Sequence, residues 1–94
     1  MEIGVGSVVY AGAGREKGGL FLIVGLDGDF VLIADGKRRR IQKPKRKKRK
    51  HVVPTGLPPE KNLMAGKTVT NTQVRRALAK YRMQFEGGFF FGEG

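Results

Sequence analysis

Two Asp-Gly pairs, Asp27-Gly28 and Asp35-Gly36, each stand between runs of residues that favour strands. Asp-Gly suits a two-residue turn in which both central positions take positive φ, the turn that joins neighbouring antiparallel strands without splaying them. The pairs therefore predict a three-stranded meander with strands at residues 20–26, 29–34 and 37–42. An earlier strand over 5–10 is closed by Ala11-Gly12-Ala13-Gly14 and a polar loop at 15–19. A short strand over 51–53, ending at Pro54, returns the chain towards the first.

If both turns are two-residue loops, Gly25 faces Phe30 and Ile23 faces Leu32, while Leu32 faces Arg39 and Phe30 faces Ile41. One face then carries Phe21, Ile23, Phe30, Leu32, Ala34 and Ile41. The other carries Leu22, Val24, Leu26, Val31 and Ile33, and it is apolar as well, so it needs a cover. Five short strands with both faces apolar fit a mainly β fold, a small SH3-like barrel over residues 1–56.

The composition changes after Pro54. Residues 57–70 read as a linker, and 71–86 as an amphipathic basic helix capped by Thr70, Asn71 or Thr72. Val74, Ala77, Leu78, Tyr81 and Phe85 fall on one stripe at helical spacing, which matches the uncovered barrel face, and the helix is expected to dock there. Residues 87–94 form a tail of glycine and phenylalanine in which Phe89, Phe90 and Phe91 could stack on bases, although a disordered or core-covering tail is the favoured reading.

Charge is the second constraint. Eleven of the fourteen residues from 37 to 50 are Lys or Arg; the other basic residues balance the eight acidic ones, so this segment holds the whole net charge of +11. Charge so localised is a contact surface, and its usual partner is a polyphosphate whose condensed counterions it displaces. A solvated or lipid-facing run and a nuclear-import signal at 44–50 are the other readings of the same residues. Crowded like charges repel, and docking on phosphates relieves that repulsion, which favours RNA.

The chemistry of an enzyme finds little support. There is no cysteine, His51 is the one histidine, and Asp27, Asp29 and Asp35 stand where turns call for them. His51 reads as a strand residue with an ordinary hydrogen bond in preference to an RNA-stacking group or a base. No apolar run approaches the roughly 20 residues of a membrane helix and Met1-Glu2 opens no basic leader, so the chain reads as a soluble cytoplasmic protein.

The stretch from Val5 to Val24, with Gly14-Arg15-Glu16-Lys17-Gly18 in its loop, resembles a KOW motif, the strand-loop-strand unit of many RNA-binding proteins. Ala34-Asp35-Gly36-Lys37, Lys43-Pro44-Lys45 and His51 extend the likeness to the archaeal and eukaryotic-type large-subunit ribosomal proteins with a single N-terminal KOW domain. The resemblance covers about residues 3 to 56. It implies an SH3-like barrel that binds structured, ribosomal RNA through loops and basic edges, without a cofactor, as a monomer when free and beside ribosomal proteins when assembled.

The residues expected to contact RNA are Arg15, Lys17, Lys37, Arg38, Arg39, Arg40, Lys43, Lys45, Arg46, Lys47, Lys48, Arg49 and Lys50. Arg75, Arg76, Lys80 and Arg82 form a second set on the helix. Arg38 and Arg40 are expected to project together from the hairpin, their planar forks suited to phosphate. Two other functions stay open. An SH3-like adaptor would need an exposed aromatic groove, for which Tyr10 and Phe21 are the candidates, and a DNA-binding protein would use the same cations.

Overall fold

The computed structural model describes residues 3–15, 17–56 and 59–83. Five antiparallel strands form one sheet: β1 (Val8–Ala11), β2 (Leu20–Asp27), β3 (Phe30–Ala34), β4 (Lys45–Lys48) and β5 (Val52–Pro54). Their order across the sheet is β4-β3-β2-β1-β5. The edge strands β4 and β5 are joined by a single 3-10 turn, Arg49–His51. A flat sheet would hold its two edges about 19 Å apart, four interstrand spacings. The step from Lys48 to Val52 reaches only about 14 Å even when fully extended. The sheet is therefore forced to curl, and the result is a small barrel-like β domain. Two short helices follow, α1 (Lys61–Met64) and α2 (Asn71–Tyr81), and neither is long and apolar enough to cross a membrane.

The strand expected over 37–42 does not form. β4 lies further along, so that Leu32 pairs with Arg46 and Phe30 with Lys48, not with Arg39 and Ile41. The cause is local. The Asp35 carboxylate accepts the backbone N–H groups of Lys37 at 2.8 Å and Arg39 at 3.0 Å, and the Arg39 carbonyl accepts those of Asp35 and Gly36. Amides that a strand would offer to β3 are held inside a turn instead.

The β2–β3 register also differs. Asp27 pairs with Phe30, so the turn is Gly28-Asp29; Gly28 has φ +60° and Asp29 a negative φ, the pattern of a type II′ turn, not type I′. A bulge at Val24 then shifts the ladder, placing Gly25 opposite Leu32 but Ile23 opposite Ile33. One extra residue moves side chains to the other face. Phe21 and Ile23 thereby join Val31, Ile33, Val9, Ala11 and Val52 inside the barrel.

The outer face is covered as its apolar character demands. Val74, Leu78 and Tyr81 of α2 pack on Val8, Leu20 and Leu22, with Val24, Ile41 and Leu63 at the margin. Val31 and Ile33, expected on this face, are inside, and Leu26 is exposed. Thr70 caps α2 through a reciprocal box: its hydroxyl accepts the Gln73 N–H and the Gln73 side chain accepts the Thr70 N–H. An isolated helix of 11 residues is marginal in water, so burial of this stripe, at about 1.5 to 3 kcal/mol per large side chain, is what holds it. Phe85, expected on the stripe, lies outside the described residues, as does the tail 87–94. Within the expected linker, Val69 is buried beside Val74, and the Glu60 N–H donates to the Gly6 carbonyl at 2.7 Å.

Candidate nucleic-acid interface

The cations divide by strand alternation and by turn. In β4, Lys45 and Lys47 stand opposite Ile33 and Val31, on the inner face of the sheet, with Lys45 half-buried. Lys47 is buried, and its ammonium donates to the Ala13 carbonyl at 2.6 Å. Lys47 thus ties β4 to the β1–β2 loop. The Gly12 N–H donates to the His51 carbonyl at 2.7 Å, a second tie between that loop and the 3-10 turn. Together they hold the β1–β2 loop, on which Arg15 and Lys17 are exposed, to β4 and the 3-10 turn.

The alternate residues of β4 face outward. Arg46 is held by the Asp27 carboxylate at 2.9 Å and lies over the Phe30 ring, 3.6 Å from its centroid. The ion pair is exposed and adds little stability; its effect is to orient the guanidinium. Lys48 and Lys50 are exposed, as is Arg49, whose guanidinium reaches the Ile3 carbonyl at 3.5 Å.

Between β3 and β4, residues 35–44 form two consecutive turns, the second closed by the Lys43 N–H on the Arg40 carbonyl. Lys37, Arg38, Arg40 and Lys43 are exposed on them, while Arg39 is half-buried. The loop is fastened to the first turns of α2. The Asn71 side chain accepts the Ile41 N–H at 2.9 Å and donates to the Gln42 side-chain oxygen at 2.9 Å. Arg75 donates to the Gly36 carbonyl at 2.6 Å and to Thr72. Gly36 is required there: its φ is +80°, and a Cβ would stand 2.5 Å from the Asn71 carbonyl oxygen. Arg75, expected among the helix cations that reach RNA, is half-buried and works as a clamp; Arg76, Lys80 and Arg82 are exposed.

The sequence signals this clamp only through Asn71, a residue type suited to capping a helix, and its partner loop is thirty residues away. Phe30 beside Arg46 is equally hidden, because it depends on the β3–β4 register. The aromatic residues an adaptor would display are engaged: Phe21 is buried, and Tyr10 meets Tyr81 edge-on with their hydroxyls 3.2 Å apart. Among the described residues no group of three or more His, Cys, Asp or Glu could hold a metal ion. No protein-family model matches the chain, and no curated protein matches it.

Proposed function

We propose that this chain binds structured RNA, ribosomal RNA first among candidates, as a KOW-type protein that acts by binding and not by catalysis. One observation carries the reading. The side chains of Lys37, Arg38, Arg40, Lys43, Lys48 and Lys50 are exposed and have no ion pair or hydrogen bond with another described residue. Lys37, Arg38, Arg40 and Lys43 stand on turns braced by Asp35, Asn71 and Arg75, and Lys48 and Lys50 at the end of β4 and in the 3-10 turn, so their mutual repulsion is held in place by the fold and is relieved when phosphates approach.

Phosphate and shape are the features of A-form RNA open to such a surface, since its deep major groove hides the base edges from side chains. On this reading the protein works in the cytoplasm, is a monomer when free and meets ribosomal proteins on its RNA. Duplex DNA offers phosphates too, so competition separates the two. Anisotropy titrations with a labelled ribosomal RNA hairpin over a range of salt should give a steep negative slope of log affinity against log salt. Structured RNA should compete far better than duplex DNA of equal length. Replacing Lys37, Arg38, Arg40 and Lys43 together with Gln should weaken binding and flatten the slope by about 0.7 to 0.9 for each phosphate the variant leaves unneutralised. An unchanged slope in that variant rules out the loop as the phosphate surface.

A further inference from the structure

The β2–β3 turn and the end of β4 enclose an open cleft of about 700 Å³, lined by Asp29, Phe30, Lys48, Arg49 and Lys50. Its walls are fixed to each other, because the Arg49 N–H donates to the Asp29 carbonyl at 2.8 Å. Phe30 pairs with Lys48 across β3 and β4, which puts both side chains on the same outer face. Unlike Phe21, it is only partly buried, and the Arg46 guanidinium sits over its ring. The cleft therefore joins an aromatic surface, several cations and one carboxylate.

A lone phosphate needs no aromatic ring and is repelled by Asp29. An apolar side chain gains nothing from three cations. We propose that the cleft seats one unpaired nucleotide of the RNA, its base stacked against Phe30 and its phosphate held by Lys48 and Lys50. Asp29 faces the base edge, where a carboxylate accepts N–H groups. Stacking on an aromatic side chain tolerates any base, and a base pulled from a bulge or loop presents the free face that stacking requires. The proposal rests on the RNA reading above and adds to it a contact with a base.

The test uses two RNA hairpins of one sequence, one carrying a single bulged 5-iodouridine and the other fully paired. The wild-type protein should bind the bulged hairpin more tightly, and ultraviolet crosslinking should attach it at Phe30 or its neighbours in the cleft. Phe30→Leu should weaken binding of the bulged hairpin by roughly 5- to 150-fold, the worth of one stacked base, and leave the paired hairpin unaffected. Phe30→Tyr should retain the preference. If Phe30→Leu does not fold, the wild-type crosslink and preference decide. Equal binding of the two hairpins, with crosslinks mapped outside the cleft, overturns the nucleotide seat while leaving RNA binding intact. Failure to bind either hairpin overturns the RNA reading itself and the seat with it.

Discussion

Lys47 lies buried with its ammonium on the Ala13 carbonyl, whereas Lys48, the next residue in β4, is exposed and unengaged by other described residues. The same side chain thus serves stability at one position and binding at the next. Lys47→Met should lower unfolding free energy by about 1.5 to 3 kcal/mol, the usual worth of a hydrogen bond to a charged group, while Lys48→Gln leaves it unchanged. RNA affinity should respond in the opposite order. Denaturant melts and salt titrations on both variants decide the matter, and equal melting midpoints would show that the Ala13 contact holds nothing together. Glycines give a second comparison. Gly18 and Gly36 both have positive φ, +86° and +80°, but only Gly36 is crowded by α2. Gly18→Ala should cost about 1 to 2 kcal/mol for left-handed backbone alone. Gly36→Ala should cost about 2 to 5 kcal/mol, because the added methyl also pushes the loop from the helix.

At the scale of elements, α2 has two jobs that separate by residue. Leu78 is buried at 1% exposure in the cluster with Leu22 and Val74, so Leu78→Ala should destabilise the whole domain by about 2 to 5 kcal/mol. Asn71 instead holds the basic loop, without contributing charge. Asn71→Ala should speed amide exchange at Ile41 by about tenfold or more and weaken RNA binding, with the salt slope close to that of the wild type because every cation is still present. An Ile41 amide exchanging at the wild-type rate would mean that the loop keeps its shape without the helix.

For the whole molecule, the helix and the barrel share one core cluster, and the sheet closes only because a short turn links its edges. Neither part buries its apolar surface alone. Heating should therefore give one transition, with helical circular dichroism and the side-chain methyl resonances of the inner-barrel residues Ile23 and Ile33 changing at the same temperature. A helix signal that melts well before those methyl signals would show α2 to be a detachable arm.

Much of this architecture is legible in local sequence. The β2 and β3 strands, the Thr70 cap and the stripe of Val74, Leu78 and Tyr81 follow from propensity, turn chemistry and periodicity, all of which act over a few residues. So does the presence of the basic surface, since eleven clustered cations cannot all be buried. Register is another matter. Whether residues 37–42 pair with β3 depends on the Asp35 carboxylate competing for their amides, and which face Ile23 takes depends on a single bulged residue, Val24. Side chains alternate with a period of two, so each slip of one residue inverts the outcome, and no local pattern records it. The division of labour among the lysines, the Asn71 and Arg75 clamp and the cleft at Phe30 all rest on that register. The sequence by itself determined that this chain makes a small β domain with a helix and a basic surface; only tertiary pairing decided which cations face outward and what stands beside them, because those contacts join residues far apart along the chain.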